Sequence, residues 1–154
     1  MIKSTWILLA ILVAVLAQGC ASVPAQPPSE AEQAAKRYAP ESGQANVYVS
    51  RTDESLGKTI GFELFVDGVK AVTLTPGSFT LVPVAPGTHV IKIAAPANSM
   101  SATLQAAAGK NYFYQVSPKA AAPLVVVPEI SLVIIEAMGR MMVNQTRFTP
   151  ATGE

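Results

Sequence analysis

Two rhythms of hydrophobic and polar positions run along the chain. Residues 6–17 (WILLAILVAVLA) are an unbroken, uncharged apolar run, whereas from residue 46 onward apolar residues alternate with polar ones in short segments separated by Gly and Pro. Strict alternation puts successive side chains on opposite faces, as in a strand with one face buried. Residues 46–51 (NVYVSR) read this way, with Val47 and Val49 on one face and Tyr48 and Ser50 on the other. Phe62, Leu64 and Val66 share a face over 62–66; Asp67-Gly68 follows, then a second run over 69–75. Asp-Gly between such runs predicts a hairpin with a type I′ turn, in which Val66 opposes Val69 and Leu64 opposes Ala71. Residues 79–84 and 88–95, joined by Pro86-Gly87, predict a second hairpin, and Pro83, lacking an N–H, belongs at an edge or bulge. Residues 100–105 and 112–116, joined through Gly109-Lys110-Asn111, predict a third. The continuous apolar runs 124–127 and 130–135, interrupted by Pro128, predict strands covered on both faces or lying at the centre of the structure. About eight short strands with turns between them give an all-β fold, a small antiparallel β-sandwich.

The amino-terminal run has a different origin. Twelve apolar residues are too few to span a bilayer core, which takes about 20 in a helix, and the run passes into Gln18 and a Pro-rich stretch without a stop-transfer flank. Preceded by Lys3 and followed by Gly19 and Cys20, it reads as the apolar core of a secretory signal peptide over residues 1–19. Residues 20–44 are rich in Ala, Pro, Ser, Glu and Gln and bury too little apolar surface to fold alone, which predicts a spacer. As a flexible coil, residues 21–44 reach roughly 27 Å. Ser29 and Glu32 form a capping box there, ahead of one or two helical turns over 31–38 closed by Pro40; so short a helix either frays or packs Tyr38 against the domain. The sandwich then occupies 45–148, and 149–154 form a disordered tail.

Composition and charge narrow the function. A chain of 154 residues suits one modest domain. There are 11 basic and 10 acidic side chains, and loss of Lys3 with the signal leaves 10 of each, so no electrostatic attraction to nucleic acid arises. Cys20 is the single cysteine and His89 the single histidine, which excludes an internal disulfide, a cysteine metal cluster and any two-histidine catalytic scheme. His89 is in phase with Ile91 and Ile93 and reads as a packed or capped residue. Ser55-Leu56-Gly57-Lys58 matches a Ser-x-x-Lys nucleophile pattern without the Ser-Asp-Asn and Lys-Thr-Gly partners that chemistry requires. Asp53, Glu54, Glu63 and Asp67 fall in a loop, on a strand and in a turn, where solvated carboxylates are ordinary. Met100, Met138, Met141 and Met142 invite a copper(I) reading, but methionine more often fills cores. Asn144-Gln145-Thr146 is a chance sequon, and Lys36 with Arg37 contributes little to lipid binding. No catalytic, cofactor or metal residue is assigned.

Leu16-Ala17-Gln18-Gly19-Cys20 resembles the lipobox of bacterial lipoproteins. The resemblance implies that the Cys20 thiol takes a diacylglyceryl group by thioether linkage, that the chain is cut before Cys20, and that the new amine is acylated. With about 0.8 kcal/mol per buried methylene, two or more chains anchor stably where one does not. Ala21 and Ser22 after the cysteine resemble lipoproteins sent to the outer membrane, with the inner membrane or the cell surface as the alternatives. Around Phe65-Val66-Asp67-Gly68, Pro76-Gly77-Ser78-Phe79, Ala85-Pro86-Gly87-Thr88-His89-Val90 and Gly109-Lys110-Asn111-Tyr112-Phe113-Tyr114, the sequence resembles the bacterial lipoprotein family called domain of unknown function 2846, and Glu136-Ala137-Met138-Gly139-Arg140 resembles a segment near that family's carboxyl end. The first half also resembles the PEGA-type module, a small antiparallel sandwich of envelope proteins. These motifs are turns; they imply fold and bring no catalytic residues. The expectation is a non-enzymatic, membrane-anchored envelope lipoprotein facing the periplasm, presenting its sandwich to another envelope protein or to cell-wall glycan. An envelope hydrolase and a purely structural or stress-related lipoprotein are the alternatives.

Overall fold

The computed structural model describes residues 27–152; the signal segment, Cys20 and the first part of the spacer lie outside the described residues. In chain order the elements are α1 (Glu30–Ala35), β1 (Ala45–Arg51), β2 (Phe62–Val66), β3 (Val69–Leu74), β4 (Ser78–Val84), β5 (Gly87–Ala95), β6 (Asn98–Ala106), β7 (Asn111–Ala122), β8 (Val125–Val133), α2 (Glu136–Asn144) and β9 (Arg147–Phe148). They form a two-sheet sandwich, β8-β7-β1-β4-β9 facing β3-β2-β5-β6. Among the described residues no helix is long and apolar enough to cross a membrane.

Alternation along β1 builds both cores. Val47 and Val49 point between the sheets, where they meet Phe62, Leu64, Leu74, Ile91, Ile93 and Val116. Each such side chain contributes about 1.5–3 kcal/mol on burial. Tyr48 points the other way, into a second cluster with Ala35, Tyr38, Phe79, Phe113 and Val143 beneath the two helices. All seven residues of β1 are therefore buried, because the helices cover the face that alternation alone assigns to solvent. The Tyr48 ring stacks on Phe113 with centroids 5.0 Å apart, and its hydroxyl donates to the Ala35 carbonyl oxygen at 2.8 Å. Burial pushes the Tyr48 phenol up to about 12, which keeps it a neutral donor.

Most elements fall where the pattern puts them, but several pairings differ. The Asp67-Gly68 hairpin forms, with both residues at positive φ (51° and 84°) as a type I′ turn requires. Val66 opposes Val69, yet a bulge between Leu64 and Phe65 sets Leu64 against Val72 rather than Ala71. The second and third expected hairpins are instead crossings between sheets: Pro86-Gly87 carries the chain from β4 in one sheet to β5 in the other, and residues 107–110 carry it back from β6 to β7. Instead β5 pairs with β6, to which the tight Pro96-Ala97 connection joins it, and on its other side with β2. Two pairs are parallel, β1 with β7 and β4 with β9, within a sheet otherwise antiparallel. Pro83 lies where β4 has β1 on one side only, since β9 reaches just Ser78 and Phe79.

The runs 124–127 and 130–135 do not form central strands. Residues 125–133 are one strand, β8, at the edge of its sheet, with Pro128 directly opposite Pro118 of β7. Neither proline donates an N–H, so the pair is tolerated where no ladder bond joins the two. The spacer is also shorter than its composition suggests. Ser29 Oγ accepts from the Glu32 N–H, α1 is docked, and the Tyr38 hydroxyl donates to Asn144 Oδ1 at 2.8 Å. At the other end, the Thr149 N–H donates to Phe79 O and the Thr152 N–H to Ala71 O, so residues 149–152 are tied to both sheets rather than disordered.

Candidate functional site

The inner row of β1 ends in a cation. Arg51 is 1% exposed, and no carboxylate pairs with it among the described residues. Its guanidinium donates to the carbonyl oxygens of Ile60 (2.6 Å), Leu74 (2.8 Å) and Gly57 (2.8 Å), and lies 4.0 Å from the centre of the Phe62 ring. Burial lowers its pKa, yet arginine remains a cation, its charge met by carbonyl dipoles and the ring face. The role of these bonds is architectural: they fasten the loop 52–61 to β3. Gly57, at φ +64°, completes the fit, because a Cβ there would stand 3.1 Å from Val126 and 3.3 Å from Pro118.

That loop holds the Ser-x-x-Lys candidate. Lys58 Nζ is 3.9 Å from Asp53 Oδ1, with both side chains largely in solvent, and Ser55 and Glu54 are exposed. A cleft of about 230 Å³ opens nearby among Ser50, Thr52, Asp53, Gln115, Gln145 and Thr146, but Ser55 and Lys58 do not line it. The carboxylates do not converge either: Glu63 pairs with Lys70, and Asp67 with His89. Among the described residues no group of three His, Cys, Asp or Glu side chains is placed to hold a metal. Met100 lies on β6 of one sheet, while Met138, Met141 and Met142 lie on α2 against the other. The sequon residues complete the end of α2: Asn144 accepts from Tyr38, and Thr146 Oγ1 donates to the carbonyl end of the helix.

His89 is capped. Its Nδ1 is 2.6 Å from Asp67 Oδ2 and its Nε2 2.7 Å from Ala85 O, while the Val90 N–H donates to Asp67 Oδ1 at 2.8 Å. Both ring nitrogens face acceptors, and only the imidazolium donates to both. The hydrogen bonds to Asp67 and to the Ala85 carbonyl raise the His89 pKa; those from His89 and the Val90 N–H lower that of Asp67. The cluster pins the β2–β3 turn to the Pro86-Gly87 crossing.

Where polar chemistry is dispersed, apolar surface is concentrated. The connection at the tip of the β7–β8 hairpin runs Ala120-Ala121-Ala122-Pro123-Leu124-Val125 with every residue exposed. Leu124 is fully exposed and sits at φ +66°. At the opposite end of β8, Ile134, Ile135, Met138 and Met141 are exposed as well, Ile134 by 90%. The apolar runs that suggest a centre thus supply two outward surfaces. Sequence reasoning missed Arg51, whose position at a strand end looks solvent-bound, and Leu124, whose signal was an Ala-Pro-Leu turn within an apolar run.

An uncharacterized protein of Haemophilus influenzae (strain Rd) is 29% identical over 101 residues, covering 66% of this chain and 60% of the relative's own length. The family model described as protein of unknown function (DUF2846) matches residues 41–128, more than half of the chain, from just ahead of β1 to the middle of β8. It takes in the Arg51 loop, the Asp67–His89 cluster and the hairpin tip, and on this match the chain belongs to the DUF2846 family.

Proposed function

We propose that this chain is a lipid-anchored, non-enzymatic protein of the bacterial cell envelope, whose sandwich presents the β7–β8 hairpin tip to a protein partner. The observation that carries the partner reading is Leu124. A fully exposed leucine in the left-handed region costs about 1–2 kcal/mol over a right-handed one, where a glycine would serve the turn at no such cost. The flanking Ala, Pro and Val side chains make the tip a contiguous apolar surface, which marks interaction sites more often than isolated exposed residues do. An aliphatic surface suits a protein better than a glycan. Outer-membrane placement facing the periplasm rests on the resemblance at Leu16 to Cys20 and on Ala21 and Ser22. The hydrolase alternative has its serine and lysine in solvent, outside the cleft.

Two measurements test the proposal. Palmitate labels the wild type and not Cys20→Ala; equal incorporation by both refutes the anchor. A photo-cross-linker at Leu124, installed in cells, captures a discrete protein that the same group at Asn98 or Asp53 does not. Identical adducts from all three positions, or none, refute the partner surface, and none favours the purely structural alternative.

A further inference from the structure

The helix α2 is apolar on both sides. Gly139 and Val143 face the sheet and are buried, whereas Ala137, Met138 and Met141 face outward and are exposed. At 100° per residue the outward three fall on one stripe, which Ile134 extends from just before the helix. A helix apolar on both faces ordinarily has a neighbour on each.

The path of the chain identifies the missing neighbour. Lys36, immediately after α1, reaches the Thr146 carbonyl oxygen at 3.4 Å, and Tyr38 reaches Arg140 O (3.1 Å) and Asn144 Oδ1 (2.8 Å) on α2, so the two helices lie together on one face of the five-stranded sheet. Only residues 21–28 separate Cys20 from the α1 cap Ser29. At a maximum of about 3.5 Å per residue they span no more than about 30 Å. The exposed Arg37, Lys110 and Arg147 have no salt-bridge partner among the described residues; they lie beside Tyr38, Asn111 and the end of α2 and suit anionic headgroups.

We infer that the outward stripe of α2, Ile134, Ala137, Met138 and Met141, rests in the surface of the lipid bilayer to which Cys20 is anchored, fixing the orientation of the sandwich. This rests on the lipidation of Cys20 proposed above. The stripe is short and in-plane, the geometry of an interfacial helix, and the anchor supplies the local concentration that so small a surface needs. The hairpin tip lies at the far end of β7 from Phe113, against which α2 packs, and so apart from the stripe.

The test uses the processed chain reconstituted into vesicles of phosphatidylethanolamine and phosphatidylglycerol. Because lipid consumes the native thiol, an introduced cysteine is the only site for a thiol-reactive, polarity-sensitive fluorophore. Labels on Ile134→Cys and Met141→Cys shift to the blue and lose intensity with brominated lipid, while labels on Asn98→Cys and Leu124→Cys do neither. Met138→Glu added to Met141→Cys abolishes the shift. Equal solvent exposure at all four positions overturns the inference, and so does a blue shift without bromine quenching, which means that a protein or a second copy covers the stripe. Maleimide reactivity of Cys20 in the unsubstituted chain is read separately: a free thiol removes the anchor and the inference with it, whereas a blocked thiol with unquenched labels overturns the inference alone.

Discussion

Replacing Gly139 by alanine sets helix propensity against packing. In an exposed helix the change stabilises by about 1 kcal/mol. Here a Cβ would stand 2.7 Å from Phe113 Cβ and Cδ2, and closer still to Cγ. Those atoms are the stem of the side chain, and the ring is clamped flat on Tyr48 at 13° between planes, so it has nowhere to swing. The helix must move out by roughly 1 Å to restore ordinary contact, which loosens Val143 and strains the bond between Tyr38 and Asn144. Overpacking of this kind costs about 3 kcal/mol at the upper end of its range. Set against the gain in propensity, the net loss is ~2 kcal/mol, or a fall in Tm of about 6–10 °C for a domain of this size. Thermal and urea unfolding measure it, and Phe113→Leu in the Gly139→Ala background returns ~1 kcal/mol through the coupling of touching residues. A Tm equal to or above that of the wild type refutes the close approach of α2 to β7.

Arg51→Met lowers stability by ~3 kcal/mol or more, because three buried carbonyl oxygens lose their donor while the apolar volume is nearly kept; trypsin then cuts faster at Lys58 as the loop loosens, and an unchanged urea midpoint refutes the role assigned to Arg51. The His89–Asp67 pair makes stability pH-dependent in two directions. The raised His89 pKa contributes stability that is fully present below about 6.5 and is lost as pH rises through the folded-state value; the lowered Asp67 pKa contributes stability present above about 3.9 and lost as pH falls through its own. Unfolding midpoints are therefore highest between about pH 4 and 6.5, and His89→Gln flattens the decline above that window; an identical profile in both proteins refutes the pairing.

The sequence made strands legible and pairings less so. Alternation marks which face of a strand is apolar, and in a sandwich the inner faces of both sheets look into one core. The pattern around Pro86-Gly87 is consequently the same whether the turn folds β4 onto β5 or carries the chain across to the other sheet. Asp67-Gly68 escaped this ambiguity because a turn with two positive φ values matches the twist of paired strands. The run 130–135 reads as central because exposed and buried apolar residues are spelled alike; only the chain's arrangement shows that Ile134 has nothing over it. Of the site features, His89 reads in the sequence only as packed or capped; its carboxylate partner lies 22 positions away, and no local spacing points to it. Arg51 carried no signal, since its acceptors are backbone carbonyls, which every sequence supplies everywhere.

The mixed order of the five-stranded sheet also sets an order of assembly. Tyr48 of β1 is matched with Leu81 of β4 and Phe113 of β7, 33 and 65 residues further along the chain, whereas β2-β3 and β5-β6 are joined by tight connections within 62–106. Local hairpins close quickly, while pairings across long loops wait on chain entropy. A chain emerging amino terminus first therefore holds the apolar strand β1 unpaired until β4 arrives and half-paired until β7 follows. For that interval its exposed backbone edge is a template for aggregation or for a holding chaperone, and the last strand to dock on it also forms one arm of the hairpin whose tip is proposed as the partner surface.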